Sequence, residues 1–183
     1  MVFTKLSLEQ VIDTYNKRMI EDFPPDELKP LEMILKAIDK GIYLCLGMVE
    51  DGKVINYAYF VKLGDDYLLD YFATIPESRN RGVGGKSLQA LREYLKDARS
   101  ILAEVEDPAF AKDEAEKEIQ SRRYQFYLRN GFIDTNVKAR CFGVPYIVIE
   151  TGGLSDKETV CNNYKRLYKS ILPEKLYANN III

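Results

Sequence analysis

The chain has 183 residues, enough for one well-cored domain, and its 46% apolar and 30% charged content is that of an ordinary globular protein. A formal net charge of −2 gives no bulk electrostatic case for nucleic acid or an anionic membrane, and no apolar run approaches the roughly 18 residues that span a bilayer. There is no histidine, which removes Ser-His-Asp and Cys-His chemistry and, with only three cysteines, nearly every zinc site.

Those cysteines (Cys45, Cys141 and Cys161) are odd in number and far apart, which points to reduced thiols rather than a disulfide framework. The opening "MVFTKLSLEQ" lacks an apolar core and a cleavage site, so a cytoplasmic chain without a secretory leader is expected.

Ser7 with Gln10 reads as a capping box opening a helix, with Leu8, Val11, Ile12, Tyr15 and Met19 on one face. "FPP" breaks it. A second helix carries Leu28, Leu31, Leu35 and Ile38 and stops at Lys40–Gly41. The period then changes. "GIYLCLGMVE", "KVINYAYFVK" and "YLLDYFAT" are rich in β-branched and aromatic residues and are separated by "EDGK" and "LGDD", as in an antiparallel meander.

A glycine-rich stretch, "RNRGVGGKSL" (79–88), follows the third strand and opens a helix with Leu88, Leu91, Tyr94 and Leu95 inward. "SILAEVE" is a short strand. A long acidic-then-basic helix is expected from about Ala109 to Asn130, followed by a hairpin from "GFIDTNVKARCF" and "PYIVIET". Ser155 with Glu158 is expected to cap a last helix bearing Val160, Tyr164, Leu167, Tyr168 and Ile171, ended by Pro173. That stripe must be buried, on its own sheet or on a second subunit, so a homodimer is one expectation.

Three clustered glycines cost backbone entropy and suit close approach of backbone N–H groups to an anion at a helix N-terminus. A P-loop needs G-x-x-x-x-G-K-[ST]; Gly85, Lys86 and Ser87 supply its end, but Asn80 stands where the leading glycine belongs. A dinucleotide fingerprint fits Gly82 and Gly84 but meets Ser87 at its third position. A turn that binds nothing is the bland alternative.

Arg79-x-x-Gly82-x-Gly84 resembles the [RQ]-x-x-G-x-[GA] motif of the GNAT superfamily, the acetyl-CoA-dependent N-acetyltransferases. "FYLRNGF" (126–132) resembles that family's F-Y-x-x-x-G-F signature, and "AEVED" (103–107) the strand before it. The resemblance covers roughly residues 41–150. It implies a mixed α/β (α+β) GNAT fold, a mostly antiparallel sheet flanked by helices, here one domain over 1–183 with N-terminal helices in 7–40 and an extra C-terminal helix over 155–172.

The resemblance also implies roles. Acetyl-CoA would lie on residues 79–87 (Arg79, Asn80, Arg81, Gly82, Val83, Gly84, Gly85, Lys86, Ser87), and the backbone of Phe72, Ala73 and Thr74 would pair with its pantetheine arm. Tyr127 would meet the cofactor and protonate the leaving thiolate. Glu104 matches the base of the ribosomal-protein alanine acetyltransferases, and Glu106, on the same strand face, and Asp70 are further candidates. The acceptor would be a primary amine on a small molecule, a peptide or a protein; the alternative is an acyl-CoA-binding module without turnover. No metal is implied. Relatives have a short connection with an asparagine touching the cofactor; here "EDPAFAKDEAEKEIQSRR" replaces it and that asparagine is missing. Its acidic run reads as a solvated helix face, with a cation-attracting rim as the alternative. Arg123, one turn before Tyr127, could pair with Glu104 or Glu106 or touch the cofactor.

Overall fold

The computed structural model describes residues 2–25, 27–79, 81–152 and 155–183. Eight strands form one mixed, mostly antiparallel sheet: β1 (Thr4–Lys5), β2 (Tyr43–Glu50), β3 (Lys53–Leu63), β4 (Asp66–Thr74), β5 (Ser100–Glu106), β6 (Ile133–Cys141), β7 (Val144–Thr151) and β8 (Ile181–Ile182), in the order β1-β2-β3-β4-β5-β7-β6-β8. Contacts divide the chain into two compact units, Met1–Lys62 with Asp70–Lys96, and Leu63–Leu69 with Asp97–Ile183.

In the first unit, helix α1 (Leu8–Thr14) starts at the expected capping box, with Ser7 Oγ accepting from Gln10 N–H at 3.2 Å and Gln10 Oε1 accepting from Ser7 N–H at 2.9 Å. It runs into a π-turn at Tyr15–Met19 and a short α2 (Ile20–Asp22). A π-turn adds a residue to the helical repeat and shifts the faces. The expected stripe is only partly inward: Val11 and, beyond the π-turn, Met19 are buried, while Leu8 and Ile12, which precede that turn, are exposed on α1 itself. Helix α3 (Leu31–Asp39) begins after Pro30, so Leu28 lies outside it. Strands β2 and β3 pair antiparallel through the tight turn at Asp51 and Gly52, and Leu46, Met48, Tyr57, Tyr59 and Phe60 fill the core beside Phe3, Met19 and Ile34. Helix α4 (Val83–Tyr94) buries Leu88 and Leu91, while Tyr94, expected inward, is 44% exposed.

In the second unit, Asp66–Leu69 of β4 pairs in parallel with Ser100–Ala103 of β5, and β5 pairs antiparallel with β7. The insert forms a 3₁₀ turn at Pro108–Phe110, so helix α5 (Glu114–Arg129) starts later than periodicity suggests, capped by Asp113, whose carboxylate accepts from Glu116 N–H at 2.8 Å. Helix α6 (Lys157–Ile171) is capped by Asp156, not Ser155. The reason is local. Ser155 donates its hydroxyl (2.7 Å) and its N–H (3.1 Å) to the fully buried Glu150, which also accepts from Ser100 Oγ at 2.7 Å. The stripe Val160, Tyr164, Leu167, Tyr168 and Ile171 is buried within the single chain, which covers the face that raised the question of a second subunit. Pro173 ends this region as expected but also opens α7 (Glu174–Asn180), which leads into β8. No helix among the described residues is long and apolar enough to cross a membrane.

Candidate active site

The glycine turn is built in the first unit. Gly82 is the N-cap of α4 at φ 71°, a left-handed conformation that glycine adopts without the steric cost of a side chain, and the space its missing Cβ would occupy is open. The first intrahelical bond runs from Lys86 N–H to Gly82 C=O at 3.3 Å. The N–H groups of Val83, Gly84 and Gly85 precede it and have no acceptor within the helix, at its positive end. The turn thus presents three backbone donors at the positive end of α4. Lys86 and Arg81 are exposed beside it, and Val83 is buried beneath. Ser87 turns away: its hydroxyl is buried and lies 3.4 Å from Met48 Sδ. Asn80 lies outside the described residues.

Phe72, Ala73 and Thr74 end β4, each half-buried. Thr74 C=O accepts from Arg79 Nε at 2.9 Å, and the other branch of that guanidinium bonds Asp22 at 2.7 Å. Asp70, a candidate base, is held by Lys29 Nζ at 2.6 Å and by the Tyr43 hydroxyl. Burial, then the charge of Asp70, pushes the Tyr43 phenol far above its ordinary range.

The second unit holds Glu104, Glu106 and Tyr127. Glu104 accepts from the Tyr164 hydroxyl on one oxygen and from the Tyr168 hydroxyl on the other, at 2.6 Å for Tyr168. Tyr168 also accepts a hydrogen bond from Cys141 Sγ at 3.3 Å. Glu106 is ion-paired with Arg123, one of the partnerships that the sequence leaves open. Tyr127 is buried, with the rings of Phe126 and Phe132 edge-on at 5.4 and 5.3 Å. Burial pushes its phenol up to about 12, with Arg123 lowering it and Glu106 raising it.

The acidic insert proves largely structural. Asp107 accepts from Ala109 N–H and from Lys138 Nζ, Asp113 caps α5, and Glu116 accepts from Lys112 N–H at 2.7 Å. Between the insert, Glu106 and α5 lies a cleft of about 360 Å³. Gln120 lines it and is the residue the sequence reading missed. It is one of two buried residues of α5, the other being Tyr127, seven positions on and so on the same face two turns away. Its Oε1 is buried without a hydrogen-bond partner. Such an orphan acceptor costs about 1–3 kcal/mol and calls for an explanation.

Comparison with known proteins supplies the family and the fold. The sequence model of the acetyltransferase (GNAT) family matches residues 8–132, and the chain belongs to that family. The fold is shared with solved structures. One is assigned to the GNAT-family acetyltransferases, from Bacteroides thetaiotaomicron (25% identity, TM-score 0.76, covering 93% of this chain and 98% of that one). Others are the ribosomal-protein-alanine N-acetyltransferase of Brucella melitensis (13%, 0.57, 82% and 99%) and the PaiA N-acetyltransferase of Thermoplasma acidophilum, solved with coenzyme A (16%, 0.53, 81% and 96%). Among curated proteins none matches the sequence.

Proposed function

We propose that the protein moves an acetyl group from acetyl-CoA directly to a primary amine. The observation that carries this reading is the Gly82 turn, which leaves the N–H groups of Val83, Gly84 and Gly85 free of the helix ladder for a pyrophosphate. Gln120 supports it. Its unpartnered oxygen suits the amide N–H donors of a pantetheine arm, and it stands in for the asparagine that relatives use. In the first unit, the backbone of Phe72, Ala73 and Thr74 ends a strand and supplies pairing groups of the kind a pantetheine amide needs.

The acid is Tyr127, at the motif position, buried and protonated at working pH, with the leaving thiolate as the acceptor of its proton. The base is Glu104, at the motif position of the strand, its two carboxylate oxygens oriented by the hydroxyls of Tyr164 and Tyr168. Electrostatic polarisation of the thioester carbonyl by backbone donors is the largest single contribution expected for acyl transfer. No covalent enzyme intermediate is required.

The test has two stages. Acetyl-CoA should raise the thermal unfolding temperature and ATP–Mg²⁺ should not, because a ligand that binds only the native state stabilises it. A panel of amines is then followed by thiol release from acetyl-CoA. Stabilisation by ATP–Mg²⁺ alone would replace the reading with a nucleotide site, and binding of acetyl-CoA without turnover on any amine would leave an acyl-CoA-binding module.

A further inference from the structure

Four side-chain hydrogen bonds in the first unit close into a ring. Asn56 Nδ2 donates to Thr74 Oγ1 at 2.8 Å, and Thr74 C=O accepts from Arg79 Nε at 2.9 Å. Arg79 Nη2 donates to Asp22 Oδ1 at 2.7 Å, and Asp22 Oδ2 accepts from the Tyr57 hydroxyl at 2.8 Å. Asn56 and Tyr57 are consecutive residues of β3, and neighbours in a strand face opposite ways, so the ring grips that strand from both sides. Both are fully buried, and the Asp22 carboxylate is 9% exposed. Arg79 is the member most open to solvent, at 49%, and it sits three residues before Gly82.

This wiring changes what the motif arginine is for. The mapped bonds of its guanidinium go to a carbonyl and a carboxylate, an arrangement that fits the rigid planar fork of arginine and that lysine cannot reproduce. We propose that Asp22, Arg79 and Thr74 form a splint that sets the position of the glycine turn against the end of β4. Asp22, from the N-terminal helical region outside the glycine motif, is then a positioning residue for the cofactor. Arg79 acts through its geometry rather than as a charge offered to phosphate. The inference rests on the acetyl-CoA reading for its consequence in binding, but the splint itself is a property of the unliganded chain.

The experiment uses the full chain in two measurements. In calorimetric titration with acetyl-CoA, Asp22→Asn, Arg79→Gln and Arg79→Lys should each weaken binding about tenfold, the scale expected when a site loses preorganisation. The double variant Asp22→Asn/Arg79→Gln should be no weaker than either single one, because both break the same link. Arg79→Lys binding like the parent, or a double variant whose loss is the product of the two single losses, would overturn the splint in favour of simple charge. Without any ligand, the amides of Arg81 to Gly85 should exchange faster in Arg79→Lys than in the parent, while those of β2 and β3 keep their protection. Unchanged exchange there overturns the proposal too. Arg79 is half-exposed, so its lysine variant decides the matter even if Asp22→Asn does not fold. A parent chain that ignores acetyl-CoA would sink the proposed function instead, and the exchange result would still judge the splint.

Discussion

Tyr168 donates its hydroxyl hydrogen to Glu104 at 2.6 Å, tying the long helix α6 to the strand that carries the candidate base. Tyr164 does the same on the other carboxylate oxygen. Hydrogen bonds to charged groups contribute about 1.5–3 kcal/mol. Tyr168→Phe should therefore lower stability by about that amount, read as a shift of the urea midpoint at constant m-value. An unchanged midpoint would mean that Glu104 does not need the second donor.

Gly84→Val places a branched side chain among the free N–H groups at the start of α4. The helix should survive and acetyl-CoA affinity should fall by at least about tenfold, roughly 1.4 kcal/mol. Calorimetric titration checks it, and parental affinity would move the anion site elsewhere.

Gln120→Leu separates stability from function. The variant removes a buried acceptor with no partner, so folding should be unaffected or improved by about 1 kcal/mol, while acetyl-CoA binding weakens. Thermal unfolding and titration on one sample test both halves. A variant that binds as well as the parent would return Gln120 to a purely structural place.

Tyr127→Phe keeps the ring packed against Phe126 and Phe132 and removes only the proton donor. kcat should drop by about 10²-fold or more with little change in acetyl-CoA affinity. In the parent, burial holds the phenol near 12, so the rate should show no alkaline fall from this group until the pH approaches that value. Any fall at low pH must come from a carboxylate or from the amine.

Stability should decline above about pH 10, the ordinary tyrosine pKa. Burial raises the phenols of Tyr57, Tyr59, Tyr71 and Tyr164, as well as Tyr127. Above that pH the unfolded chain releases protons that the folded chain keeps, so the unfolded state binds fewer and folding free energy falls as pH rises. Urea midpoints should be level near pH 8 and drop steeply between about 10 and 12. A flat profile there would mean the phenols ionise freely in the fold.

Much of the element order along the chain and the position of the glycine turn are legible because alternation and glycine spacing are local signals. Ser100–Glu106 was read to the residue, since a run of apolar residues bounded by a loop and a proline has few other fates. What failed was set by tertiary partners. In α1 the inward face runs through Val11 and Thr14 and leaves Leu8 and Ile12 outside, and Ser155 abandons the helix cap because the buried Glu150 needs its donors. The two-residue strands β1 and β8 are too short to carry a period. In the candidate site, motif positions single out Gly82, Glu104 and Tyr127. They could not find Asp22 or Gln120, whose importance comes from an ion pair fifty-seven residues away in sequence and from an empty acceptor. For Gln120 the one usable signal was its seven-residue spacing from Tyr127.

The sulfur of Cys141 lies 3.3 Å from the Tyr168 hydroxyl, itself bonded to the Glu104 carboxylate. The molecule thus carries a covalent handle wired to its candidate base. Cys45 is buried and its thiol is pushed well up by that burial, which makes it a poor nucleophile, while Cys141 is partly open to solvent. Alkylation of Cys141 removes the S–H hydrogen that Tyr168 accepts, so the rate of that modification, followed separately from that of the half-buried Cys161, reads out how open the sulfur beside α6 is.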